Sequence, residues 1–233
     1  LELAIQYYRQ ALTVYSQSAI PVNWATTVMN LAITYSERIR GDKADNLELA
    51  IQYYRQALTV FTQSTMPVDW ALAMMNLATT YASRIKGDKV DNLELAIQYI
   101  HESLIVYTQS AMPVDWALAM MNLALAYRKR IRGDKAENIE EAIRHYKQVI
   151  TVYTQSDFPF DWALAMMNLA VAYDSRIIGD KADNIEEAIR HYTQALIVMT
   201  QSAIPKKHQD ILRNLNELYF ENRRWQDVVQ TCA

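Results

Sequence analysis

The feature that most constrains this chain is a period. The stretch "LELAIQYYRQAL" at residues 1–12 returns verbatim at 47–58, with relatives "LELAIQYIHESL" (93–104), "IEEAIRHYKQVI" (139–150) and "IEEAIRHYTQAL" (185–196). The starts 1, 47, 93, 139 and 185 are 46 residues apart. Between them runs a second unit, "PVNWATTVMNLAITY" (21–35), "PVDWALAMMNLATTY" (67–81), "PVDWALAMMNLALAY" (113–127) and "PFDWALAMMNLAVAY" (159–173). All five prolines (21, 67, 113, 159, 205) and all four glycines (41, 87, 133, 179) keep the spacing. Proline and glycine confined to such junctions divide each repeat into two elements, and a fixed period of this size implies stacked copies of one supersecondary unit.

Both elements carry helical patterning. Leu47, Ala50, Ile51, Tyr54, Ala57, Leu58 and Phe61 follow i, i+3, i+4, i+7, i+10, i+11, i+14, one apolar stripe on an α-helix. Glu48, Gln52, Arg55, Gln56 and Thr59 fall mostly on the opposite side. The Trp-containing element has its own stripe, Trp70, Met74, Leu77, Ala78 and Tyr81. Neither stripe is stable in water, so each helix must pack on its partner and on neighbouring repeats. About 18 residues per helix gives a rod of about 27 Å. The spacing predicts N-caps at Asp45, Asp91 and Asp183, each three residues before Glu48, Glu94 and Glu186, as in a capping box. Pro67 followed by Asp69 suits a helix entry, and Gly41 and its equivalents suit a left-handed helix stop. The tripeptide Arg40-Gly41-Asp42, repeated at 132–134, becomes "KGD" at 86–88 and "IGD" at 178–180. It is therefore read as backbone punctuation, with Asp42 and Lys43 as solvated turn residues, rather than as an adhesion signal.

Composition narrows the function classes. Net charge is −3, from 23 basic and 26 acidic residues, so no basic footprint points to nucleic acid. No apolar run reaches the length of a membrane span and no basic-then-apolar leader opens the chain, so no membrane is expected among the partners. A single cysteine, Cys232, excludes an internal disulfide framework or a Cys-rich zinc site and makes a cytoplasmic setting the default. Starting and ending in mid-pattern, the sequence reads as a piece of a longer protein.

The paired helices, with small and aromatic residues at fixed places, resemble the tetratricopeptide repeat. "NLATTY" (76–81) is similar to that family's Asn-Leu-Gly/Ala…Tyr signature. Ala50, Tyr54 and Ala57, and less closely Ala96, Ile100 and Ser103, occupy its Ala, large and small positions, and a proline follows the second helix. The usual repeat is about 34 residues, against 46 here. Tyr35 to Ala50 spans 15 residues where the family pattern has 9, which puts six of the 12 extra residues at the inner turn and leaves the rest to lengthen the second helix and the join. In "NLNELYFENRRWQDVVQTCA" (214–233), Tyr219 to Val228 returns to 9. The expected fold is all-α, a right-handed superhelical solenoid of antiparallel helix pairs, one domain over 1–233. It divides into an orphan second helix (1–18), full repeats 21–64, 67–110, 113–156 and 159–202, and a shorter, truncated repeat (205–233). Long repeats of this kind resemble those of bacterial multidomain signalling proteins carrying an NTPase module or a caspase-like CHAT protease.

The resemblance implies that the first helix of each pair lines an inner, concave side. That side would carry Leu72, Met75, Asn76, Thr79, Ala82 and Ser83 and their equivalents, including an asparagine ladder, Asn30, Asn76, Asn122, Asn168 and Asn214. An amide both donates and accepts, so it can grip an extended backbone without demanding a sequence; bonding to neighbouring helices or water is the alternative. Met29, Met75, Met121 and Met167 stand beside them, as a deformable floor or as packing. Ser36/Glu37, Ala82/Ser83, Arg128/Lys129 and Asp174/Ser175 vary between repeats and form a candidate specificity rim or an unconstrained turn. In the family's clamp for a terminal carboxylate the basic residues fall where this chain has Met, Leu or Thr, which disfavours that ligand.

No catalytic constellation emerges. Glu141/His145 and Glu187/His191 share helix faces at i, i+4 and read as surface ion pairs, since a metal site needs three or four converging ligands. His101 and His208 are isolated, four separated glycines build no phosphate loop, and Trp24, Trp70, Trp116 and Trp162 read as core anchors. The expectation is a non-enzymatic, cofactor-free protein-interaction module that binds a peptide or protein domain within a larger signalling or regulatory chain. The alternatives are a spacer or rod that self-associates end to end, and a sensor arm controlling an attached catalytic domain.

Overall fold

A computed structural model describes residues 1–222. These residues are all-α, and ten helices alternate along them: α1 (Glu2–Ala11), α2 (Pro21–Ser36), α3 (Lys43–Ala57), α4 (Pro67–Ala82), α5 (Lys89–Ser103), α6 (Pro113–Lys129), α7 (Lys135–Val149), α8 (Pro159–Asp174), α9 (Lys181–Leu196) and α10 (Pro205–Glu221). The chain forms two compact units, Leu1–Asn122 and the residues from Leu123 onward. In the first, α1 packs on α2, α2 on α3, α3 on α4 and α4 on α5, while α2 also touches α4. In the second, α7 packs on α8, α8 on α9 and α9 on α10. This is the stacking of antiparallel helix pairs that the period demands. The second helix expected after α10, and with it Val228 and Cys232, lies outside the described residues.

The stripes become the core. In the first unit Val28, Leu31 and Tyr35 from α2 meet Ile51 and Tyr54 from α3 and Leu77 and Tyr81 from α4. Ala25, Ala32, Ala50, Ala57, Ala73 and Ala96 are fully buried among them, where a methyl is all the space that the close helices leave. Burying a Leu or Ile contributes about 1.5–3 kcal/mol, and the period repeats that gain. The tryptophans diverge from the expectation that all four anchor the core: Trp162 is buried, whereas Trp24, Trp70 and Trp116 are half-buried at the first turn of their helices.

Helix boundaries correct the sequence reading in three places. The element expected to reach Ser18 ends at Ala11, and its equivalent α3 starts at Lys43 and ends at Ala57. Phe61 then enters the core from the join and not from the helix. The N-cap is Asp42, not Asp45: its carboxylate accepts the Asp45 N–H at 2.9 Å. Asp88, Asp134 and Asp180 cap α5, α7 and α9 likewise. Asp45 and Asp91 instead sit in the first turn, where negative charge meets the positive end of the helix dipole. Finally, Gly41 lies beyond the end of α2, after residues 37–40, and its φ of 80° delivers the chain into the Asp42 cap. The inner turn is residues 37–42.

Two fasteners of this turn escaped the sequence reading. Asn46 is buried; its amide donates to the Arg40 carbonyl at 2.9 Å and its oxygen faces Arg38 at 3.4 Å. Asn92 and Asn184 repeat both contacts, and Asn138 donates to the Arg132 carbonyl at 2.9 Å. Arg38 also makes a two-pronged bond to Glu2, 36 residues back, at 2.8 and 2.7 Å, with its guanidinium 5.7 Å from the Tyr35 ring centre. Arg84 clasps Glu48, and Arg176 clasps Glu140, in the same way. At the last repeat Asn222 takes the arginine's place and donates to Glu186 at 2.9 Å. Hydrogen bonding to these arginines holds the Glu2 and Glu48 carboxyls below the usual carboxylate range.

The histidines keep the expected approach to Glu141 and Glu187, at 3.6 and 3.5 Å, but not the expected surface position. His145 and His191 are buried, their rings 5.6 and 5.5 Å from those of Tyr127 and Tyr173. They occupy the places of Tyr53 and Tyr99, which pair with Tyr35 and Tyr81. Burial, followed by the Arg190 charge, lowers the His191 pKa, although Glu187 lies 3.5 Å away. His191 is thus a neutral packed ring near neutral pH and not one half of a surface ion pair. An unfolded histidine near pH 6.5 takes up protons that the folded one refuses. Its stabilising contribution is therefore full above that pH and is lost as pH falls below it. The thermal midpoint should drop between pH 7.5 and 5.5 more steeply in the parent than in His191→Tyr; parallel curves would disprove this.

Candidate docking face

On α4 the residues not consumed by packing recur at i, i+4 and i+7: Leu72, Asn76 and Thr79. Leu118 and Asn122 do the same on α6. Within the first unit these side chains, with Met75, Asp115 and Tyr107, line one hollow of about 260 Å³. Two asparagines of the predicted ladder, Asn76 and Asn122, are thereby brought to one cavity. Leu72 and Leu118 are 39% and 50% exposed at its edge. Tyr107 comes from the join after α5. Its equivalent Phe61 stands on the apolar stripe of the second element, which marked the position as core but not as part of this hollow; Phe61 and Tyr153 are both buried.

All five ladder asparagines are half-buried. The backbone carbonyl of Asn76 accepts from Thr79 and Thr80 at 2.9 and 2.7 Å, but its side-chain amide has no protein partner among the described residues. The amides of Asn30, Asn122 and Asn168 are equally uncommitted, whereas Asn214 donates to the Tyr192 hydroxyl at 2.8 Å. Among the methionines Met29, Met75 and Met121 are buried and Met167 is half-buried, so Met75 offers the hollow only an edge.

The rim residues differ in what they do. Glu37, Ala82, Ser83, Lys129 and Asp174 are exposed. Ser36 and Ser175 fold back onto the carbonyls of Ile33 and Val171 at 2.8 Å. Arg128 is half-buried, with its Nε sealed from solvent and without a hydrogen-bond partner among the described residues. Its charge acts on Tyr146, whose phenol is pushed up to about 12 by burial and drawn back by Arg128. The Asp174 carboxyl is raised by desolvation, then by Glu221 and Glu217. No group of three or more metal-ligating side chains converges among the described residues. None of their helices is long and apolar enough to cross a membrane.

Comparison with known families follows the same architecture. Residues 116–150 match the tetratricopeptide repeat. Residues 1–13, 29–59 and 163–196 match the Sel1 repeat, also a tetratricopeptide-like helical repeat. Repeats of both kinds commonly mediate protein–protein interaction and are typically non-catalytic. No curated protein matches the chain.

Proposed function

We propose that this chain, a series of tetratricopeptide-like helical repeats, is a non-enzymatic module that docks a peptide or protein domain on the face carrying Asn76 and Asn122, as part of a larger regulatory protein in the cytoplasm. The observation that carries the reading is the pair of uncommitted amides in one hollow edged by exposed leucines. An amide facing such a hollow can take both polar groups of a peptide unit, and the leucines add apolar contact that does not depend on register. Within the first unit Glu37 and Asn30, and within the second Arg128, Lys129, Asp174, Met167, Asn168 and Asn214, would tune partner choice. A photo-crosslinking amino acid placed at Thr79 in cells should trap a defined partner, and the trap should fail after Asn76→Ala with Asn122→Ala. The same probe at Gln98, exposed on α5, should trap nothing. Equal trapping from both positions would refute a dedicated face.

A second reading rests on α1. Leu1, 51% exposed, matches Leu47, which is 2% exposed, and Leu3, Tyr7 and Val14 are likewise open. A second copy of the chain could cover this face, as end-to-end self-association requires. Sedimentation equilibrium across a concentration series decides it, because a monomer at every concentration removes the reading.

A further inference from the structure

We propose that the hollow between α4 and α6 takes a basic side chain, a lysine or arginine carried beside an aliphatic residue on an extended peptide. This rests on the docking reading above and narrows it to a chemical class. The hollow is apolar at its edge and acidic at one end. Asp115 lines it and is half-buried; Asp69, at the matching position of α4, is half-buried as well. Neither carboxylate has a cation within salt-bridge distance among the described residues. Between their fields lies Tyr107, 4% exposed, whose hydroxyl makes no hydrogen bond among the described residues and is not sealed from solvent, so it stays open to an incoming donor. An ammonium or guanidinium entering here meets the Asp115 carboxylate and a phenol oxygen able to accept from it, with Asp69 adding to the negative field at Tyr107. An acidic side chain would meet the like charge of Asp115.

The site also has a length. Asp115 and Asn122 are seven residues apart on α6, about 10 Å at 1.5 Å per residue. An extended peptide covers that distance in about three residues. The basic residue would therefore sit about three positions from the backbone unit held by Asn76 and Asn122, with an aliphatic side chain on Leu72 and Leu118 between them. The first repeat has Asn23 where Asp69 and Asp115 stand, so this acidic end is not a uniform property of the repeat.

The test uses the whole chain and two synthetic peptides, acetyl-Ala-Leu-Lys-Ala-Leu-Ala-amide and the same peptide with Glu for Lys. Binding is followed by the side-chain amide NMR signals of Asn76 and Asn122. The Lys peptide should shift both signals, with an affinity that falls about tenfold in Asp115→Asn and falls again with added salt, while the Glu peptide shifts neither. Tyr107→Phe, which keeps the ring and the fold, should also weaken the Lys peptide. Equal shifts from both peptides, or unchanged affinity in both Asp115→Asn and Tyr107→Phe, would overturn the basic-ligand assignment and leave docking intact. If neither peptide moves either asparagine signal, the assignment and the docking face fall together.

Discussion

Tyr81→Ala is expected to destabilise the first unit by about 3–5 kcal/mol, the range for deleting a large ring from a packed core. The Tyr81 side chain is fully enclosed, and residues of α3 and α5 pack on it. Its hydroxyl accepts from Arg55 at 2.6 Å; the Arg84 and Arg55 guanidiniums lie 5.5 and 5.9 Å from its centre; and its ring pairs with Tyr99 at 5.7 Å. Alanine would leave a cavity and strip Arg84 of the surface on which it is held for Glu48. Tyr81→Phe removes only the hydroxyl and should cost about 1 kcal/mol, the net worth of one hydrogen bond. Urea unfolding followed by circular dichroism separates the two. Equal losses would mean that the hydroxyl, and not the ring, is what the core needs.

Asn92→Ala should cost about 1–3 kcal/mol, the penalty for leaving buried polar partners unmatched. Asn92 donates to the Lys86 carbonyl at 2.9 Å and faces Arg84 at 3.2 Å, so one side chain ties the inner turn to the arginine clasp. Gly87→Ala acts on the same turn by a different route. Its φ of 79° costs an L-residue about 1–2 kcal/mol, while the new methyl would meet the Arg84 guanidinium at 3.2 Å, a flexible end able to yield. The two changes share one turn and should not add. Amide exchange of Val90 and Asp91, whose N–H groups Asp88 caps, should accelerate in both variants; unchanged protection would show that the cap stands without the turn.

What the sequence disclosed and what it withheld follow from range. Helical stripes are local, so Leu77, Ala78 and Tyr81 were legible as core before any coordinate. Asp42 and Asp45 are both able to cap, and the choice falls to the backbone at Gly41, which a residue pattern does not encode. Glu187 and His191 satisfy the i, i+4 rule, yet the ring that decides the histidine's environment, Tyr173, belongs to another helix. The Arg38–Glu2 clasp spans 36 residues and leaves no trace in either stripe. In the hollow the asparagine pair was readable from the period, whereas Tyr107, whose equivalent Phe61 stood on the apolar stripe, was legible as core and not as a lining residue.

The arginine clasps have a consequence for how such a chain can change length. Glu2 with Arg38, and Glu48 with Arg84, are the same joint made twice, each spanning most of one period. Gain or loss of one complete copy carries both halves of a joint together and leaves the neighbours' grips intact. A single inserted residue between Tyr81 and Arg84 would swing the guanidinium off its ring and out of reach of its carboxylate. Evolution of this architecture is thereby quantised: whole copies can come and go, while the interval inside each is held fixed.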